Sequence, residues 1–446
     1  MDYLITAVFI FAFSIVVLSF IDLKLSVAFY IAYLILVPYL QFKIAGFPLS
    51  YNLVNTLLLA VFLYQSLIKK RYKLNYKVIT PFLFLFFSLL VLSLFTWGMP
   101  WSIQFNNWRV SFMQTCILSF IVWNLAQTDK KILTYFKWGF MISIIIAGIY
   151  GLFLMQMGGM NPYTTFLSSY FGMEDMADHY IAKESRLSFS QASKIQATMV
   201  HPMTWALILC FSIITFTIFY LKTKDKKYWL LIGLVAFNIL ISGVRTGIAA
   251  LILGITYFLI RYRKFKLILL SLIIIAALSL IIQANDDLSN LFASFTDVSG
   301  QKSTVKGSSI TMRLEQLQGA IDEIKGHELP GKGFGWTRYY TSINERGHPV
   351  LLAFESLLFM VLCNSGYIGL FIWIIFFLLL FQLNRNILMK NIDIYLMDAF
   401  VIIYAAYSIG TGDYGYISFF AIFYSYLLGY LNRNQEHENY TNTTDL

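Results

Sequence analysis

Among the five histidines of this 446-residue chain, His348 stands out because Glu355 follows it seven residues on. If His348 starts a short helix, that spacing is two turns, so the two side chains share one face. A histidine beside a carboxylate can move a proton near neutral pH, and the histidine can equally contact a phosphate. Upstream stand Arg338, Arg346 and the run Gly331-Lys-Gly-Phe-Gly-Trp336. Glycines at alternate positions resemble a dinucleotide fingerprint superficially, but they lack the preceding strand and the βαβ context, which removes that reading. As a turn they let the backbone bend tightly beside a ligand.

Arginines bring a second kind of chemistry. Arg245 lies in Ile-Ser-Gly-Val-Arg-Thr-Gly, between two apolar stretches. An arginine at a membrane edge is expensive, so it faces the protein interior or a polar ligand, and its planar fork fits two phosphate oxygens. The small neighbours Ser242, Gly243 and Gly247 let a ligand approach closely; the structural alternative is an arginine snorkelling to lipid headgroups. Arg313 falls in the first turn of a helix predicted from Ile310, Leu314, Leu317, Ile321 and Ile324, with Ser308 or Ser309 as its cap. A cation there opposes the helix dipole, which a bound anion would explain and a salt bridge to Glu315 would explain as well. A third segment, 156–197, contains Arg186 and Lys194 and leads into His201-Pro202. Pro202 is ordinary helix-entry chemistry, and His201 either adds a protonatable group or caps that helix.

No metal set is evident. Asp286-Asp287 and Glu174-Asp175 are acidic pairs of the kind that loops leave solvated. Cys116, Cys210 and Cys363 lack ligand-like or disulfide spacing and read as buried fillers.

The elements that position these residues follow from composition. The chain is 58% hydrophobic and 13% charged, against about 25% charged in an ordinary soluble domain. Apolar runs alternate with short basic clusters, as expected when lipid surrounds each run. A net charge of +10 would suggest nucleic acid as partner of a soluble protein; here the basic residues mark topology, and no nucleic acid is expected. The fold class is all-α, a polytopic transmembrane helical bundle of about 12–13 spans with a large, partly helical external loop. The candidate spans are 3–20, 25–41, 47–68, 78–98, 110–127, 132–155, 198–221, 228–242, 245–260, 267–283, 366–384, 394–410 and 415–432.

Basic connectors recur after every second span, at Lys69–Lys73, Lys130–Lys131, Lys222–Lys227 and Arg261–Lys266. The positive-inside bias makes them cytoplasmic and leaves 100–108, 156–197, 242–245 and 284–349 outside. Counting 350–363 as a full span would put Arg385 and Lys390 outside, so that stretch is expected to be an external amphipathic or re-entrant helix. The chain then divides into an N-terminal bundle, 1–283, a loop and partial helix with the active-site motifs, 284–365, C-terminal helices, 366–432, and a cytoplasmic disordered tail, 433–446. No internal repeat supports inverted-repeat transporter architecture.

The Ser-Gly-Val-Arg245-Thr-Gly turn, the Arg313 helix, the Gly331-x-Gly-x-Gly turn and His348-Pro-Val-Leu-Leu leading to Asn364-Ser-Gly-Tyr-Ile-Gly-Leu resemble the O-antigen ligase and polymerase superfamily. Pro349 stands where that family often has asparagine. The resemblance implies a GT-C-like enzyme of the bacterial cytoplasmic membrane, without cofactor or metal, transferring glycans from undecaprenyl pyrophosphate at the outer face. It puts Arg245, Arg313 and His348 at functional positions. The expected partners are a lipid-linked oligosaccharide, membrane lipids, a chain-length regulator and a flippase.

The reaction expected is displacement at an anomeric carbon, with arginines offsetting charge on the pyrophosphate leaving group. His348 or Glu355 takes the acceptor proton, Glu355 being preferred, while Arg338, Arg346, Lys194, Arg186 and His201 contact pyrophosphate or glycan. Polymerisation of repeat units is the reading chosen. Ligation to a different acceptor is the alternative within the class, and a lipid-linked oligosaccharide flippase the alternative outside it.

Overall fold

The computed structural model describes residues 2–37, 41–44, 47–157, 160–170, 195–263, 310–344, 347–351, 354, 356–411 and 416–444. The expected span 267–283, the capping serines 308 and 309, and Arg186, Lys194, Arg346 and Glu355 lie outside these residues. What is described is an all-α polytopic membrane protein. Among the described residues, seven helices are long and apolar enough to cross a bilayer, and three further apolar helices are shorter.

In chain order the helices begin with α1 (Asp2–Ile21), α2 (Leu23–Leu36) and α3 (Tyr51–Leu63), the last extended by a π turn, Tyr64–Ile68. Then come α4 (Thr80–Ser93), α5 (Trp101–Phe112) joined through a π turn at Met113–Ile117 to α6 (Leu118–Thr128), α7 (Lys130–Gln156) and α8 (Pro162–Tyr170). They continue with α9 (Pro202–Thr223), α10 (Lys227–Ile241), α11 (Arg245–Arg261), α12 (Ile310–Glu323) and α13 (Trp336–Ile343). The series closes with α14 (Leu357–Ile387), α15 (Asn391–Thr411) and α16 (Tyr416–Thr444). One feature was not expected: Gln41–Ile44 and Phe47–Ser50 pair as an antiparallel ribbon, so α3 starts four residues later than the expected span at 47.

Side-chain bonds at the helix ends show how the spans alternate. Lys24 at the start of α2 pairs with Asp129 between α6 and α7 at 2.7 Å, and Lys222 near the end of α9 pairs with Asp393 at the start of α15 at 2.8 Å. Arg433 donates to the Gln127 carbonyl at 2.7 Å. These contacts gather the basic connectors at one end of the bundle. At the other, Thr198 donates to Ile35 O (2.7 Å), Tyr407 to Met203 O (2.6 Å) and Ser356 to Ile409 O (2.6 Å). The Ser242–Val244 turn, the 310–356 segment and the starts of α3, α9 and α16 belong to this loop end.

The centre is α9, whose Trp205, Leu207, Phe211 and Phe216 are fully buried. The rim presents apolar side chains outward, among them Ile10, Phe13, Leu230 and Phe371, which costs nothing against lipid. Buried charge is paired, as an apolar medium demands. Asp398 accepts from Asn384 and from the Tyr257 hydroxyl, both at 2.9 Å, and Asp393 accepts from Lys222 and Gln435. Cys116, Cys210 and Cys363 are free and buried.

The stretch expected as an external amphipathic or re-entrant helix at 350–363 starts later and is more buried than an amphipathic helix would be. Helix begins only at Leu357, where Ser356 Oγ accepts the Leu358 N–H, and residues 357–365 are buried on nearly every side. The break that separates this piece from the long span falls at Gly366, with φ 61° and ψ −159°, where the expected span begins.

Candidate active site

The kink in α14 is the foundation. At Gly366 the helical hydrogen-bond ladder is interrupted, and the freed groups pair with the loop between α12 and α13. The Tyr367 and Ile368 N–H groups donate to the Glu328 and Leu329 carbonyls at 2.9 and 3.2 Å. In return, Lys332 and Gly333 N–H donate to the Cys363 and Asn364 carbonyls, both at 2.9 Å. Two broken backbones thus satisfy each other. Gly331 lies so close to Ser365 and Gly366 that a Cβ would fall 2.5 Å from the Gly366 nitrogen.

The glycine run expected to form a turn does so, with φ of 70° at Gly331, 124° at Gly333 and 82° at Gly335. On its far side it rests on α5. Gln104 Oε1 accepts the Phe334 N–H at 3.1 Å and the Thr96 hydroxyl at 3.0 Å, and a Cβ on Gly333 would strike the Gln104 amide. Clamped between α5 and the α14 kink, the turn delivers Lys332.

Lys332 bonds Glu323, the last residue of α12, and its ammonium sits 4.6 Å from the Trp336 ring centroid. Glu323 turns its other oxygen to His348 Nε2 at 3.1 Å. His348 Nδ1 accepts the N–H groups of Val350 (3.1 Å) and Leu351 (3.0 Å), so in the neutral ring the proton sits on Nε2 and is directed at Glu323. The imidazole, 9% exposed, lies between Tyr340 and Phe354, with centroids 5.4 and 5.6 Å away. Phe354 takes a positive φ of 54°, a strained conformation for a bulky residue. Burial favours the neutral form of Glu323, but the hydrogen bonds from Lys332 and His348 outweigh it and hold the carboxyl below the usual range. The carboxylate keeps about a quarter of its side chain exposed and has lone pairs beyond the two in use.

This arrangement revises two expectations. His348 does not begin a helix: Pro349 lacks an N–H, the next two amides bond the His348 side chain, and the described residues up to the Ser356 cap are turns. How Glu355 lies relative to His348 falls outside the described residues. Among the described residues, the carboxylate at His348 is Glu323, which had not been singled out. The α12 helix is present, and its buried face matches the expected stripe only in part: Ile324 is fully buried and Leu317 packs on the core, but Leu314 is 62% exposed, while Gln316 is 2% exposed and Ala320 fully buried. Glu323 lies seven residues after Gln316 on that face, a charge among buried positions, which is the signal that would have found it.

The remaining expected site residues fall in separate places. Arg313 Nη1 donates to Gln316 Oε1 at 3.0 Å rather than bridging to Glu315. It lies ten residues from Glu323, about 15 Å along the α12 axis. Arg338 is exposed on α13 beside a shallow pocket with Asn107, Thr337 and Asn364. His201 caps α9, its Nδ1 accepting the Met203 N–H at 3.0 Å. Arg245 opens α11 directly after the Ser242–Val244 turn, where Gly243 has φ 65°. Its neighbour Thr246 abuts Gly410. The last turn of α15 therefore gathers three segments: Thr246 at Gly410, Met203 at Tyr407 and Thr411, and Ser356 at Ile409.

Fold and site define a multi-pass membrane protein that builds a lysine–glutamate–histidine cluster and an arginine-bearing turn at one end of its bundle. Residues 230–374, about a third of the chain, match the family model described as O-antigen ligase, a match that supports the resemblance to the O-antigen ligase and polymerase superfamily, whose members are membrane glycosyltransferase-like enzymes. The matched segment contains Arg245, Arg313, Glu323, Lys332, Arg338 and His348, along with Arg346 and Glu355. No curated protein matches the chain.

Proposed function

We propose that this protein polymerises oligosaccharide repeat units carried on undecaprenyl pyrophosphate into a surface polysaccharide, at the outer face of the bacterial cytoplasmic membrane. The observation that carries the proposal is the Lys332–Glu323–His348 cluster inside the segment that matches the O-antigen ligase family. In the reaction, the bond between the anomeric carbon and the pyrophosphate oxygen breaks, and a bond to the acceptor hydroxyl oxygen forms. The acceptor proton passes to a carboxylate, and the pyrophosphate leaves with the bonding electron pair.

Glu323 is the proton acceptor that the described residues offer. It is ionised, partly open, and fixed on two sides. His348 holds it in place, with both ring nitrogens engaged in hydrogen bonds. Arg245 and Arg313 offset the charge on the departing pyrophosphate, with Arg338, Arg346, Lys194, Arg186 and His201 contacting pyrophosphate or glycan, and Glu355 is a second carboxylate near His348 in sequence. No metal is required where cations carry this load. A transporter would place unpaired ionisable groups near mid-bilayer. Asp398 instead lies two turns into α15 from its basic end, neutralised by Asn384, Tyr257 and Arg385.

Reconstitution in liposomes with native lipid-linked repeat units tests the reading. A ladder of growing chains on a gel is the expected result. A single product that appears only with a second acceptor would make the protein a ligase. Repeat units crossing the bilayer with no new covalent product would overturn glycosyl transfer.

A further inference from the structure

A cavity of about 230 Å³ opens in the loop-end half of the bundle, between α2, α3, the α5–α6 span, α9 and α16. Its wall sets the aromatic rings of Tyr30, Tyr51 and Phe419 beside the amides of Asn55 and Gln114 and the hydroxyl of Thr204. Among the described residues, no charged side chain lines it. Asn55 is 3% exposed; its Nδ2 donates to Met113 O at 3.3 Å, and its Oδ1 has no hydrogen-bond partner. Met113 opens the π turn Met113–Ile117. A π turn inside a membrane span widens the helix locally, and such turns are frequent at functional sites. Here it brings Gln114 and Leu118 to the cavity wall.

We propose that this cavity is a binding subsite for a neutral sugar unit of the glycan substrate, separate from the Glu323–His348 cluster. The identity of the ligand rests on the glycosyl-transfer reading above; the chemistry of the wall stands by itself. Hydrocarbon would fit the rings but leave Asn55 Oδ1 unpaired, at the full desolvation cost of a buried acceptor. An anionic headgroup would find no counter-charge among the described residues. Water would need two to four polar partners per molecule, and the space equals about seven water volumes with rings on much of its wall. A sugar ring meets both demands: its C–H face packs on aromatic rings, and its hydroxyls reach Asn55 and Gln114.

The test reads binding without turnover. Saturation-transfer NMR on the protein in nanodiscs would use methyl glucoside, methyl galactoside and methyl N-acetylglucosaminide as probes, with octyl glucoside for comparison. At least one methyl glycoside should bind wild type and His348→Ala alike. Asn55→Leu should weaken it roughly threefold to tenfold, the worth of one hydrogen bond. Gln114→Leu, at a partly exposed position that tolerates change, should do the same and guards against misfolding of the first variant. Equal binding by wild type and both variants, or none by wild type, overturns the proposal. Binding by octyl glucoside alone would mean that hydrocarbon fills the space, and overturns it too. If the methyl glycosides bind as expected but liposomes yield no glycan product, the transferase reading fails and the sugar site stands.

Discussion

Gly366→Ala should separate the bundle from its chemistry. With φ 61° and ψ −159°, Gly366 occupies backbone space essentially reserved for glycine, and a side chain there costs roughly 1–3 kcal/mol in strain. The new Cβ would also collide with the Glu328 and Leu329 carbonyl oxygens, which are backbone atoms already committed to Tyr367 and Ile368. The loop must withdraw, and each of the four backbone bonds it loses is worth about 0.5–1.5 kcal/mol. Losing two of them brings the total to roughly 2–6 kcal/mol, which by about 1.4 kcal/mol per tenfold lowers the docked fraction between about 30-fold and 10⁴-fold. Lys332 is part of that loop, so Glu323 loses its cation with it. The assay is glycan transfer in liposomes, alongside size-exclusion and thermal melting in detergent. Gly366→Ala should insert and stay monodisperse but lose at least about 30-fold in transfer. Gly331→Ala, whose Cβ would strike the same kink from the other side, should match it. Gly233→Ala, with no atom within 4 Å of the added Cβ, is the control and should behave as wild type. Wild-type transfer by both kink variants would refute the idea that loop and kink position the site.

Other expectations follow from the same geometry. Glu323→Gln keeps an acceptor for His348 but removes the charge that binds Lys332, and should cut transfer by roughly 10²–10⁴ if the carboxylate takes the proton; unchanged kinetics would remove it from the reaction. Because the Glu323 carboxyl is held below its usual range, its stabilising contribution is complete above about pH 4.3, the unfolded value, and fades as pH falls further. Melting curves in detergent should therefore show an acid-side loss in wild type that Glu323→Gln lacks. Arg245→Ala and Arg313→Ala should each lower transfer by about 10²–10³ with insertion intact, and wild-type activity in both would sink the pyrophosphate site. Activity should persist in EDTA; its loss, restored by a divalent cation, would show that a metal and not arginine carries the charge.

The sequence revealed most where lipid leaves the chain no choice. A membrane span must satisfy its backbone internally, so apolar runs bounded by basic residues mark helices whatever their neighbours. Arg245 after its Ser-Gly-Val turn and the break at Gly366 were legible for that reason. Outside the spans that constraint lapses. The α12 stripe held at Leu317 and Ile324 but not at Leu314, because a loop helix packed on polar and glycine surface need not bury every large apolar residue. Gly319 faces Val350 closely, and Gln316 fills the interior where leucine was expected. The partnership of Glu323 with His348 spans 25 residues and depends on how α12, the glycine turn and the α14 kink dock. No periodicity encodes such a contact.

The geometry around His348 also changes what a histidine at this position implies. A general base needs a lone pair facing the substrate, yet Nδ1 is taken by two backbone amides and Nε2 points its proton at Glu323. The imidazole is held by its local backbone at Nδ1 and orients the Glu323 carboxylate through Nε2. If Glu323 is the base, His348→Gln, whose amide can still donate to Glu323, should retain far more transfer than His348→Ala, and the difference should appear in kcat more than in KM. Equal loss in the two variants would return the proton to the ring and leave Glu323 the positioning role.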